Sequence, residues 1–279
     1  MHWPYYRKES TDLTTRGLML MGHGTKSAKG QAQFHELVAL AAQRFDGPVT
    51  GGFIELAQPT MFEAVDEIAA KGIDELIIAP VVLLPAGHLK DDAAELTHYA
   101  RRQWPQLSVH LASDLGTTAE LIIRLNQCID GVDEAAEAIL VVGRGASDPS
   151  ANAELHAITR LLSESRGYPT THTAFVSLAP PDVTTGLETL ARLGAQSVVV
   201  APYFLFHGVL LDRIASQALA WATAHHKTVA ISEELGPHPL VIDALWLRVQ
   251  EAIGGDVRTN CDTCLYRSPF SIKSATALP

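Results

Sequence analysis

Leu76-Ile77-Ile78-Ala79-Pro80-Val81-Val82-Leu83-Leu84 is an unbroken apolar run, the pattern of a strand buried on both faces of a parallel sheet. It recurs later in the chain. Ala79-Pro80-Val81-Val82-Leu83-Leu84 matches Ala201-Pro202-Tyr203-Phe204-Leu205-Phe206 at an offset of 122 residues (201 − 79). Phe53-Ile54-Glu55-Leu56-Ala57-Gln58-Pro59 matches Phe175-Val176-Ser177-Leu178-Ala179-Pro180-Pro181 at the same offset, 175 − 53 = 122. Gly22-His23-Gly24 pairs with Gly143-Arg144-Gly145, and Asp114-Leu115-Gly116 with Glu234-Leu235-Gly236, within two residues of that register. Four anchors in one register identify an internal duplication.

Each copy alternates short apolar runs with amphipathic helical stretches. In the first copy, strands are expected near 17–21, 49–54, 75–80 and 108–111. Helices are expected over 31–45, 60–71, 89–104 and 117–129. The second copy predicts strands near 138–142, 171–176, 197–202 and 228–231, with helices between and after them. Strand–helix alternation implies an α/β fold, two similar domains each built on a mainly parallel four-stranded sheet flanked by helices. The expected boundaries are an N-terminal extension 1–16, a first domain 17–130, an acidic linker 131–137, a second domain 138–254 and a tail 255–279.

Composition excludes several classes of function. With 279 residues, 47% of them hydrophobic and 19% charged, the chain has the composition of a globular protein with a sizeable core. A net charge of −10 argues against a nucleic-acid partner, which calls for a basic stripe. Met1–Ser10 lacks the apolar core of a signal peptide, and no apolar run approaches the roughly 18 residues of a membrane span. Three cysteines do not make a secreted disulfide framework, so the cytoplasm is the expected compartment, with no membrane partner.

In sheets of this kind ligands bind outside the carboxyl ends of the strands. His23, Glu55 and His88 directly follow the first, second and third strands of the first copy. They are therefore expected to converge at one sheet edge. Glycines beside His23 and His88 permit unusual backbone angles and close approach of a ligand. A carboxylate that closes an apolar strand is seldom there for packing. Two imidazoles and a carboxylate suit borderline divalent ions such as Co²⁺, Fe²⁺, Ni²⁺ or Zn²⁺. Three protein ligands also leave coordination positions open, as catalysis requires. A phosphate-cradling turn is the alternative reading of Gly22-His23-Gly24.

The second copy carries Arg144, Ser177 and Val209 in the three matching positions, which places the metal chemistry in the first copy. Arg144 either grips a substrate carboxylate bidentately or is a relic of the duplication. His207 aligns with Pro85 and is a candidate to line the cleft from the second half. Cys128, on an apolar helix face, is expected to be buried. In the tail, Cys261-Asp262-Thr263-Cys264 supplies two thiolates, which cannot complete a four-cysteine iron–sulfur site in one chain. A cluster shared with other ligands and a reversibly oxidised thiol pair both remain open.

Gly22-His23-Gly24, Phe53–Pro59 and Pro80–Asp92 together resemble the sirohydrochlorin chelatases, the class II chelatase family. Pro202–Phe206 and Gly208–Arg213 are similar to its long, internally duplicated cobaltochelatase form, and the resemblance spans about residues 17–253. It implies a chelatase-like fold, with two α/β domains facing each other across a cleft. The implied activity is that of a lyase that inserts a divalent metal into sirohydrochlorin without ATP, on the route to cobalamin or siroheme. His23 and His88 match the family's metal-binding and catalytic histidines, and Glu55 matches its acidic residue.

The duplicated form points to Co²⁺ as the metal substrate. A sirohydrochlorin ferrochelatase using Fe²⁺ is the alternative, and Ni²⁺ also suits the ligands. A non-catalytic metal or tetrapyrrole carrier is the reading from another class. The tail resembles one for which the resemblance implies an iron–sulfur cluster at Cys261 and Cys264. Because the tetrapyrrole is rich in carboxylates, an acidic chain needs a local cationic lining to bind it. Lys26, Lys90, Arg144 and Arg213 lie close to strand ends and are candidates, with His207 beside them. The expected assembly is a monomer or a homodimer.

Overall fold

The computed structural model describes residues 14–84, 87–133, 137–167 and 169–257, with the side chains of residues 87–90 outside the description. The first copy folds as β1 (Arg16–Gly22), α1 (Ala28–Ala42), β2 (Val49–Phe53), α2 (Met61–Ala69), β3 (Glu75–Pro80), α3 (Gly87–Gln103), β4 (Ser108–Leu111) and α4 (Ala119–Asp130). The second repeats it as β5 (Ala138–Gly143), α5 (Pro149–Ser165), β6 (Thr170–Phe175), α6 (Val183–Arg192), β7 (Ser197–Pro202), α7 (Val209–His225), β8 (Thr228–Ile231) and α8 (Pro239–Gly254). Cys261 and Cys264 lie outside the described residues.

Four of the strands coincide with the expected ranges, and the others differ by one residue at one or both ends. Helix α1 begins earlier than its apolar periodicity, because Ser27 caps it: the Ser27 hydroxyl accepts the Gly30 N–H at 3.2 Å. Both sheets are wholly parallel, in the orders β2-β1-β3-β4 and β6-β5-β7-β8.

Successive residues of each central strand face opposite sides of the sheet. Leu18, Leu20, Ile77 and Ala79 face a core that continues without a break into Ile139, Val141, Val199 and Ala201 of the second sheet. Met19, Met21, Leu76 and Ile78 instead pack under α2 and α3. Leu140, Val142, Val198 and Val200 pack under α6 and α7. The layer between the sheets contains α1, α4, α5 and α8, so the two copies share one central core.

Within that layer the last helix of each copy has crossed over. α4 packs against β7 of the second sheet, and α8 against β3 and β4 of the first. An arginine fastens each exchange. Arg124 on α4, 8% exposed, donates through Nε to the Leu235 carbonyl at 2.8 Å. Arg248 on α8 donates to the Leu115 carbonyl through Nε and Nη2, at 3.1 and 2.9 Å. Leu115 and Leu235 are the same position of the duplicated motif. Cys128 sits buried on α4, and burial pushes its thiol up to about 11. It therefore stays protonated near neutral pH and is a poor metal ligand. No helix among the described residues is long and apolar enough to cross a membrane.

A polar bridge also ties α1 to the second copy. Lys29 Nζ lies 2.8 Å from Glu234 Oε1, and Gln33 Nε2 donates to the same oxygen at 2.6 Å. Burial works to raise the Glu234 carboxyl, but its hydrogen bonds from Lys29 and Gln33 outweigh burial and hold it below its ordinary value. A carboxylate depressed in the folded state stabilises the fold above its unfolded value, about 4.3 for glutamate, and loses that effect as pH falls through the folded value. The melting-temperature advantage of wild type over Glu234→Gln should thus be level from neutral pH to about 5 and shrink below about 4.3. An advantage undiminished at about pH 3 would show that the charge of Glu234 does not hold the copies together.

Candidate metal centre

β1, β2 and β3 lie side by side and end at the same edge. The chain leaves β1 toward the central layer through α1 and leaves β3 toward the outer layer through α3, which opens a crevice between them. His23 is the first residue past β1 and Glu55 the second past β2. The strand pairing runs on beyond the strands themselves: Ile54 N–H donates to Gly22 O at 2.9 Å, and Glu55 N–H to His23 O at 3.1 Å. These bonds hold His23 and Glu55 abreast.

Gly24 makes this fit possible. It has φ +100°, and a Cβ there would collide with the Glu55 carbonyl. Gly145, φ +84°, meets the Ser177 carbonyl in the same way, and Ser177 N–H donates to Arg144 O at 3.0 Å. The second copy thus keeps the backbone of the site and changes only its side chains.

His23 Nδ1 stands 3.7 Å from Glu55 Oε1, with both side chains about half exposed. Ligands bound at roughly 2.0–2.2 Å to one ion stand roughly 3–4 Å apart, so this spacing suits a shared divalent cation. Among the described residues no third His, Cys, Asp or Glu completes the set. The third expected ligand, His88, is the second residue of α3, beyond the end of β3; its side chain, like that of Lys90, lies outside the description.

Beside this pair is a cleft of about 580 Å³ with walls from both copies, a size typical of small-ligand sites. Phe34, Phe53 and Val81–Leu84 line it from the first copy, and Phe175, Leu205, Phe206 and Leu210 from the second. Leu56 and Val209 also border it, 50% and 69% exposed. Apolar side chains left so open inside a cleft fit the flat face of a ligand.

Lys26 and Arg144 line the cleft as exposed cations, Arg144 at the place that His23 holds in the first copy. Arg213 is exposed on α7 and is not among the lining residues. His207 does line the cleft from the second half, with both ring nitrogens engaged: Nδ1 is 2.9 Å from Ser27 Oγ, and Nε2 is 3.3 Å from Asp212 Oδ1. The contacts of Ser27 and Gln33 across the copies were not legible in the sequence. The only hint was a capping serine placed just after the first histidine motif.

An α/β chain with two copies of one unit, a histidine–carboxylate pair at the strand ends of the first and a cleft between them makes a duplicated class of α/β protein with one candidate metal site. A family model described as CbiX matches residues 17–130 and, a second time, residues 138–252; the chain belongs to the CbiX family. It is 32% identical over 261 residues to a sirohydrochlorin cobaltochelatase of Priestia megaterium, covering 90% of this chain and 85% of that one. It is 28% identical over 220 residues to a sirohydrochlorin ferrochelatase of the same organism, covering 77% of this chain and 82% of that one. Its fold is that of the solved SirB from Bacillus subtilis with Fe³⁺, at a TM-score of 0.77 and 23% identity, covering 88% of this chain and 99% of that one.

Proposed function

We propose that the protein is a sirohydrochlorin cobaltochelatase: it inserts Co²⁺ into sirohydrochlorin without ATP, in cobalamin biosynthesis. The observation that carries this reading is the His23–Glu55 pair, 3.7 Å apart at the rim of an apolar cleft. The likeness to the Priestia megaterium cobaltochelatase over 90% of the chain supports the choice of metal. The ferrochelatase relatives make Fe²⁺ the second reading.

In this reading the macrocycle lies between the apolar walls while Lys26 and Arg144 hold peripheral carboxylates, Arg144 bidentately. Arg213 meets carboxylates only outside the cleft. His23, Glu55 and His88 present the ion with open positions, because they form an incomplete ligand set. The ion exchanges these ligands for the ring nitrogens, and two pyrrole protons leave as it enters. An imidazole accepts a proton at the ring edge and passes it to solvent. Charge balances, since a dication replaces two protons, and nothing in the exchange calls for ATP.

Both cleft walls come from one chain, so a monomer suffices for the chemistry. Residues 17–130 supply the ligands and residues 138–254 the opposite wall. Cys261 and Cys264 take no step in insertion, and a cluster there would need further ligands.

The test is an absorbance assay of the purified protein with sirohydrochlorin and Co²⁺, Fe²⁺ or Ni²⁺, each in excess over protein. The expected result is multiple turnover with the highest kcat/KM for Co²⁺. A higher value for Fe²⁺ would make the protein a ferrochelatase. Tight stoichiometric metal binding without turnover would make it a carrier.

A further inference from the structure

We propose that His207 is a positioning residue for the metal loop: the second copy, having lost the ligands, uses this residue to fix residues 25–27 of the first. The inference rests on the metal-insertion reading above and goes beyond it by giving the second half a part in placing His23.

Three parts of His207 meet the first copy, one at the loop and two on the helix α1 that follows it, while a fourth faces its own copy. Its ring Nδ1 lies 2.9 Å from Ser27 Oγ, and its backbone N–H donates to Gln33 Oε1 at 2.8 Å. Its carbonyl fills the space where a side chain on Gly30 would begin. Its Nε2 faces Asp212 Oδ1 at 3.3 Å. A carboxylate only accepts, so Nε2 carries the proton of the neutral ring and Nδ1 accepts from the Ser27 hydroxyl. The ring is 26% exposed by side chain, held between the copies.

Ser27 passes the constraint on. Its hydroxyl caps α1 by accepting from Gly30 N–H, and its own N–H donates to Thr25 Oγ1 at 3.1 Å. Gln31 Nε2 donates to Thr25 O at 2.7 Å. Residues 25–27 are therefore held by α1 on one side and by His207 on the other, and they follow His23 and Gly24 directly. The mirror arrangement is missing in sequence. The counterparts of His207, Ser27 and Gly30 are Pro85, Asp148 and Ala151, of which Pro85 has no ring donor or acceptor and Ala151 carries a Cβ. By sequence, position 85 cannot repeat this brace toward the second copy.

Residues that orient a metal ligand from behind typically change metal affinity or activity about 10–100-fold when replaced. The experiment measures Co²⁺ affinity of the tetrapyrrole-free protein and, separately, kcat and KM for sirohydrochlorin, in wild type, His207→Ala, His207→Phe and His207→Asn. Expected are a Co²⁺ affinity and a kcat about tenfold or more lower in the Ala and Phe variants, with KM within about threefold. His207→Asn, which can still bond to Ser27, should recover most of both.

His207→Phe keeps the bulk of the ring and so tests the hydrogen bond even if His207→Ala does not fold. Unchanged Co²⁺ affinity in the Phe variant would overturn the proposal. So would a loss confined to KM, which would mean that His207 touches the tetrapyrrole itself. If wild type inserts no metal at all, the functional reading fails, while the affinity comparison still decides whether His207 positions the metal loop.

Discussion

Replacing His23 with alanine is expected to lower the rate of metal insertion by about 10²–10⁴-fold, the range seen when a positioned proton-transfer group is lost. His23 is the described imidazole at the strand ends of the first copy, 3.7 Å from Glu55. Its side chain is 42% exposed and packs into none of the cores, so the fold should survive the change. The melting temperature should stay within a few degrees of wild type, as is usual for surface substitutions. Initial rates of the absorbance change with Co²⁺ and sirohydrochlorin check the first expectation, and thermal unfolding the second. A His23→Ala enzyme that keeps a third of the wild-type rate would place the chemistry elsewhere in the cleft. His88→Ala should match it, since the resemblance gives the two histidines the same work.

Gly24→Ala should be comparably damaging to activity and should also cost stability. At φ +100° the backbone strain alone is about 1–3 kcal/mol for a residue with a side chain. The new methyl would run into the Glu55 carbonyl, so the two loops must part and the bond from Glu55 N–H to His23 O must break. Gly145→Ala is the matched comparison, since its Cβ meets the Ser177 carbonyl in the second copy. Denaturant unfolding should show similar losses of stability for both. Co²⁺ affinity should fall much further for Gly24→Ala, because in the proposed reading only there do the separated loops carry ligands. Equal Co²⁺ affinities for the two variants would mean that the close approach at Gly24 does not set the ligand spacing.

Much of this architecture was legible in the sequence because buried parallel strands write themselves as apolar runs. The repeat of Ala79–Leu84 at Ala201–Phe206 marked the duplication, and Glu55 stood out as a charge at the end of such a run. The partners of α4 and α8 were not legible. An amphipathic helix states that one face is buried, not which sheet buries it. The destination of Arg124 was hidden for the same reason, its acceptor being a carbonyl about a hundred positions away. Arg213 lies close to a strand end in sequence, yet α7 carries it away from the lining. His207 was a candidate for the cleft wall in the sequence, but its hold on Ser27 depends on how two copies meet, which no local pattern encodes.

The crossing of α4 and α8 sets an order in time. As the chain leaves the ribosome, the first sheet is synthesised long before α8, the helix that covers β3 and β4. Domains ordinarily fold as they emerge, amino-terminal first. Here the first half, with its candidate ligands, must wait with an apolar flank open until α8 has been made. Contacts so distant along the chain also make folding slow. A stop codon at the start of α8 should therefore inactivate a site whose first residue, His23, was made more than two hundred residues earlier. Until α8 is made, the flank of β3 and β4 that it covers stays open.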